Sequence, residues 1–156
     1  MTELRLRPMS DKEFATFCEA NKTDFAKQRA VTDFLTLDEA KAVVEEKYRT
    51  LLPDGQSTKG HYFFVGEVNG KAVGDGWVYV DSKTRECFLY MIQIETMERG
   101  KGLGKALLAA LEAEARERGG RILWLNVFEN NYRARWLYES SGYSVATLHL
   151  SKKIAD

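Results

Sequence analysis

The sequence predicts a single α+β domain: a mixed, mainly antiparallel sheet with helices on its faces. Three observations predict it. From His61 to Glu95 three segments read as strands, the last rich in aromatic and β-branched residues, separated by turn residues. Helical stripes follow capping signals at Ser10 and Thr36. The elements run β-α-α-β-β-β-α-β-α-β, an order that suits a mixed sheet.

Leu4 and Leu6 alternate with charged neighbours, so a short half-buried strand is predicted that stops at Pro8. Ser10 with Glu13 forms a capping box. The helix it opens places Phe14, Phe17 and Cys18 on one face. Thr36 with Glu39 repeats the signal for a second helix striped by Ala40, Val43, Val44, Tyr48 and Leu51. Pro53-Asp54-Gly55 ends that helix. Three strands follow, His61 to Val68, Lys71 to Asp81 and Glu86 to Glu95, joined by the Asn69-Gly70 hairpin signal and a turn from Asp81 to Arg85. Leu103, Ala106, Leu107, Ala110 and Leu111 mark a helix that Gly119-Gly120 stops. Arg121 to Phe128 reads as a strand, and Asn131 to Ser141 as a helix capped by Gly142. Tyr143 to Leu150 is predicted to be the last strand.

The 156 residues fit one domain, 1–156, without repeats or linkers. Lys and Arg number 23, as do Asp and Glu, so no bulk charge draws the chain to nucleic acid or an anionic membrane. Met1 to Pro8 is charged rather than shaped as a secretion signal, and the apolar runs are too short to span a bilayer. Cys18 and Cys87 lie far apart without metal-ligand spacing. A cytoplasmic protein with reduced cysteines and no metal is the expectation.

The stretch Glu98-Arg99-Gly100-Lys101-Gly102-Leu103-Gly104-Lys105 falls between a predicted strand and a predicted helix. Its glycines let the backbone bring N–H groups close to a ligand, and the helix start adds unpaired donors and partial positive charge. Such a cradle suits a diphosphate. Arg99, Lys101 and Lys105 add charge. A P-loop would need Gly at 99 and Ser or Thr at 106, where the chain has Arg99 and Ala106. A dinucleotide fingerprint would need its third glycine one residue later.

Arg99-x-x-Gly102-x-Gly104 resembles the coenzyme A diphosphate loop of the GNAT superfamily. Asn131, Ala134, Leu137-Tyr138 and Gly142-Tyr143 resemble its second signature, with Leu123 to Val127 as the strand between. The likeness is specific from about Tyr90 to Tyr143 and only topological before residue 85. It implies a sheet of about six or seven strands, with a splay between the fourth and fifth that holds the acyl chain. It implies an N-acetyltransferase using acetyl-CoA as co-substrate on a primary amine of a small molecule or peptide. Main-chain groups near Ile92, Gln93 and Ile94 would then hold pantetheine and the thioester carbonyl. Residues 99–105, which are Arg99, Gly100, Lys101, Gly102, Leu103, Gly104 and Lys105, would hold the diphosphate.

Asn131 offers amide donors and an acceptor to the pantetheine arm. Tyr138, an acid of ordinary pKa near 10, suits protonation of the departing thiolate. It equally suits a core position with its hydroxyl on a backbone carbonyl. Attack by an amine also needs a base or a water chain. Relatives that acetylate ribosomal-protein N-termini carry Glu on the fifth strand, where this chain has Asn126. Glu86, then Glu95, are the carboxylates expected to serve instead, and His61 titrates in a useful range. The acidic residues of the first two helices suit a cationic acceptor or a solvated face. The alternative to an enzyme is a non-catalytic module that binds or senses acyl-CoA. Many relatives dimerise, so a homodimer is among the expectations.

Overall fold

A computed structural model of the chain describes residues 3–156. Met1 and Thr2, where the charged N-terminal stretch and the single domain read from the sequence begin, lie outside the described residues. The elements are β1 (Leu4–Pro8), α1 (Asp11–Thr32), α2 (Leu37–Leu51), β2 (His61–Val68), β3 (Lys71–Val80), β4 (Glu86–Ile94), α3 (Leu103–Glu117), β5 (Ile122–Leu125) and α4 (Tyr132–Ser140). They fall into two compact units. One joins the residues through Met9 to Lys59–Ser144, and the other joins Ser10–Thr58 to Val145–Asp156.

The first unit holds a sheet of order β1-β2-β3-β4-β5. Neighbours pair antiparallel except β4 with β5, which run parallel. Asn69 and Gly70 both adopt positive φ, as a tight hairpin between β2 and β3 requires. Period two then separates the faces. Phe64, Val78, Val80, Cys87 and Leu89 pack against Leu107, Leu108, Leu111 and Ala115 of α3. His61, Phe63, Trp77, Tyr79, Phe88 and Tyr90 form a continuous set of ring contacts on the other strand positions.

One irregularity shifts this alternation. Trp77 pairs with Met91 while Val78 pairs with Leu89, so Tyr90 is an extra residue in β4. A bulge of this kind reverses side-chain parity and bends the strand. Cys87 and Leu89 therefore face the α3 core before it, and Ile92 and Ile94 do so after it. The β4–β5 ladder ends at Leu89–Leu125, immediately before the bulge. Beyond it, β4 continues to Ile94 paired only with β3.

In the second unit, α1 and α2 both begin at the capping boxes expected from the sequence. Ala26, Ala40 and Val44 are buried with Phe25, Ala30, Leu35 and Tyr48 packed around them. Lys22 Nζ reaches Glu45 at 3.1 Å across the two helices. Asn21 is buried, and its Nδ2 has no hydrogen-bond partner among the described residues.

Among the described residues the sheet has five strands rather than six or seven. Residues 143–150 form no strand, although the sequence predicted one. Alternation supplies a face, but a strand exists only where its N–H and C=O groups meet a second edge. β5 is also shorter than the predicted Arg121–Phe128, ending where its ladder with β4 ends.

Candidate active site

β4, β5, α3 and α4, all in the first unit, bring most of the expected residues together. Ile94 ends β4, a short 3-10 turn covers Thr96–Glu98, and α3 starts at Leu103. Gly102, the residue before α3, has φ 77° and offers no side-chain cap. The other three α-helices each have a capping side chain. A β-carbon at Gly100 or Gly102 would meet nothing within 4 Å. Glycine is needed there for its backbone conformation, and the turn stays open above it. The first N–H groups of α3 have no acceptor within the helix and lie beside that opening.

The cations around the turn have partners. Glu98 is buried and receives Lys71 Nζ at 2.5 Å and Lys101 Nζ at 2.9 Å. The hydrogen bonds from Lys71 and then Lys101 hold its carboxyl below the usual range. Arg99 Nε donates to the Ile94 carbonyl at 3.2 Å, tying the turn to the strand that feeds it. Lys105 Nζ sits 5.0 Å from the centre of the Trp136 ring. Part of the expected positive charge thus shapes the turn. Lys71 and Trp136 were not found from the sequence. Lys71 lies 27 positions from Glu98, and only the β3–β4 register, with Gly74 opposite Ile94, places it there.

α4 adjoins the same turn, since a β-carbon on Gly104 would lie 3.6 Å from Leu137. Asn131 caps α4, its Oδ1 accepting from the Ala134 N–H at 3.2 Å. Its acceptor is thereby used and its amide donors remain. Tyr138 is half-buried, and burial pushes its hydroxyl up to about 12. Among the described residues that hydroxyl has no hydrogen-bond partner, so it is not the carbonyl-bound core tyrosine that the spacing also allowed. Tyr143 stacks edge-on to it at 5.9 Å and donates to Glu112 at 2.8 Å. Ile92, Gln93 and Ile94 occupy the part of β4 without a β5 partner. Asn126 follows the last residue of β5 and is exposed.

The expected bases lie elsewhere on the sheet than the glycine turn. Glu86 opens β4, at the end away from the glycine turn, roughly 26 Å of extended chain before Ile94. The structure does not bring it to the turn. Glu95 is exposed, and its N–H bonds Val73. His61 is buried, its Nδ1 accepting from Trp77 Nε1 at 3.0 Å. Burial lowers it to about 4, and the lone pair a base needs is engaged. Cys18 and Cys87 are buried free thiols. Burial pushes Cys18 up to about 11 and raises Cys87, which disfavours nucleophilic roles. Among the described residues no cluster of His, Cys, Asp and Glu could hold a metal ion, and no helix is long and apolar enough to cross a membrane.

A strand, a glycine turn, an uncapped helix and a second helix bearing a tyrosine thus meet in this part of the first unit. The model of the acetyltransferase (GNAT) family matches residues 24–143. N-acetyltransferase YdgE of Bacillus subtilis (strain 168) is 32% identical, over 96% of this chain and 97% of the relative. The crystal structure of acetyltransferase YycN from Bacillus subtilis superposes with a TM-score of 0.91 at 31% identity, covering 98% of this chain and 99% of that one. An aminoglycoside N-acetyltransferase, AAC(6')-Iy in complex with CoA, shares the fold with a TM-score of 0.57 at 18% identity, covering 99% of this chain and 97% of that one. The chain belongs to the GNAT acetyltransferase family.

Proposed function

We propose that this chain transfers the acetyl group of acetyl-CoA to a primary amine of a small molecule or peptide, and that residues 1–156 act as one acetyltransferase domain. The family match runs from 24 to 143, across both compact units, which supports the single-domain reading. The observation that carries the activity is the open turn of Gly100 and Gly102 before the uncapped α3.

The residues present fit coenzyme A. The N–H groups of residues 100–105 suit its diphosphate, with Arg99, Lys101 and Lys105 around them. The partnerless part of β4, Ile92, Gln93 and Ile94, suits the amides of the pantetheine arm, and the donors of Asn131 can reach the same kind of group. Bending at the Tyr90 bulge supports a divergence of β4 from β5 that would admit the acyl group. When bound, acetyl-CoA supplies an activated acyl carbon on a good leaving group. A main-chain N–H of β4 facing the carbonyl would stabilise the charge that develops on attack. Tyr138 keeps its proton through the neutral range and is the donor we assign to the departing sulfur. No carboxylate is assigned as base. Asn126 cannot accept a proton usefully, so water is the carrier we favour.

Thiol release measured with polyamines, amino acids and peptides as acceptors tests the reading. Turnover of at least one amine is expected. Tight coenzyme A binding with no turnover of any amine would make the chain a sensing module instead.

A further inference from the structure

α4 carries an open aromatic face beside the glycine turn. Tyr132 and Trp136 stand four residues apart on that helix, so they are neighbours on its surface, and they are 68% and 65% exposed. Single exposed aromatics are ordinary on a soluble protein and need no explanation. This pair is set against the turn. Leu137, the residue after Trp136, lies 3.6 Å from where a β-carbon on Gly104 would be. Lys105 Nζ sits 5.0 Å from the centre of the Trp136 ring. Lys105 therefore belongs to both places: its backbone lies in the first turn of α3, and its side chain reaches the aromatic face.

The charges around this face are sorted in the same sense. Arg135 is occupied, donating to the Glu129 carbonyl at 3.1 Å and lying 3.7 Å from the Glu139 carboxylate. Arg133, three residues before Trp136 and so on its side of the helix, is exposed. Neither Arg133 nor Lys105 has an ion-pair partner among the described residues. Two open rings flanked by two uncompensated cations suit a flat π-system that carries a phosphate, since the rings stack and the cations offset the charge. The diphosphate assigned to residues 100–105 leads in coenzyme A to a group of that description, adenine on a ribose that bears its own phosphate.

We propose that Tyr132 and Trp136 are a stacking platform for the adenine of coenzyme A, and that Arg133 and Lys105 offset the charge of its ribose phosphate. The inference rests on the reading of the glycine turn as the diphosphate cradle and adds a specificity to it. The platform distinguishes the whole cofactor from its phosphopantetheine half. An acyl group presented on a phosphopantetheine arm attached to a carrier protein has no nucleotide to stack and forgoes these contacts, so the platform selects the free cofactor as acyl donor.

Calorimetry on the full chain compares coenzyme A, dephospho-coenzyme A, which lacks the ribose phosphate, and phosphopantetheine, which lacks the nucleotide. Trp136→Ala is expected to weaken coenzyme A about tenfold and to leave phosphopantetheine unchanged, with Trp136→Phe restoring most of the affinity. Arg133→Ala is expected to weaken coenzyme A more than dephospho-coenzyme A. Loss of both coenzyme A and phosphopantetheine in Trp136→Ala would make Trp136 a structural residue and overturn the platform, as would an unchanged affinity for coenzyme A. Equal effects of Arg133→Ala on coenzyme A and its dephospho form would overturn the charge assignment. An unaltered chain that binds phosphopantetheine as tightly as coenzyme A would overturn the platform without any variant. Gly102→Asp acts on the turn and is expected to weaken coenzyme A and phosphopantetheine alike, so the cradle can stand where the platform falls.

Discussion

Tyr138 and His61 show what burial does to two titratable side chains of this fold. The Tyr138 hydroxyl is pushed up to about 12, so it stays protonated where the unfolded chain would ionise near 10. The folded state then holds more protons than the unfolded one between those values, and stability falls as pH rises through them. Its chemical role is tested separately. Tyr138→Phe is expected to lower turnover about tenfold or more while coenzyme A affinity changes little. Equal loss of both would make Tyr138 a packing residue. His61 runs the other way. Its folded value of about 4 lies below the unfolded 6.5, so its contribution is complete above 6.5 and lost as pH falls through 4. Denaturant midpoints at pH 7, 5.5 and 4 are expected to drop in step with that window, by an amount on the order of 2–3 kcal/mol if the full shift is realised. His61 was readable from the sequence as a residue of useful pKa. Its bond to Trp77 was not, because it needs the β2–β3 register that sets Phe63 opposite Trp77.

Among the elements, the glycine turn and the two signatures were legible because their geometry is local. Positive φ, a helix start and a capping asparagine each follow from a few consecutive residues. The capping boxes of α1 and α2 were legible for the same reason. The Tyr90 bulge was not. Strict alternation through β4 assigns Met91 and Gln93 to the core side, whereas Ile92 and Ile94 are there. The bulge is a property of the pairing with β3, which no local pattern records. Gly74 depends on the same pairing, since a β-carbon there would lie 2.4 Å from the Gln93 carbonyl. Glu86 was chosen by residue type and strand membership, and it opens β4, at the end opposite Ile94. For the turn itself, Gly102→Ala imposes a left-handed backbone on a β-carbon at about 1–2 kcal/mol. It is expected to lower the denaturation midpoint modestly. Gly102→Asp adds a negative charge to the proposed diphosphate cradle and is expected to weaken coenzyme A at least about tenfold in calorimetry.

At the level of the whole molecule, the sheet–α3 core sets the stability of the unit that carries the site. Leu107, Leu108 and Leu111 are essentially without solvent contact, and Leu111 lies against Gly76. Leu111→Ala is expected to cost about 2–5 kcal/mol in urea unfolding, since the cavity it leaves faces a sheet that cannot collapse freely. In the α1–α2 unit, Asn21 makes the opposite case. Replacing its unpartnered amide by the similar-sized Leu is expected to leave stability equal or higher. The predicted fold class holds at this scale, as do β1–β4 and the four helices. The final strand does not form, since residues 143–150 pair with neither edge of the sheet.

The most direct measurement is a coenzyme A titration followed by backbone amide resonances. Saturable shifts centred on residues 100–105 and the β4 residues Ile92 to Ile94 are the expected result. Saturation that leaves the amides of Gly100 to Lys105 unmoved would contradict the assignment of this turn as the diphosphate cradle.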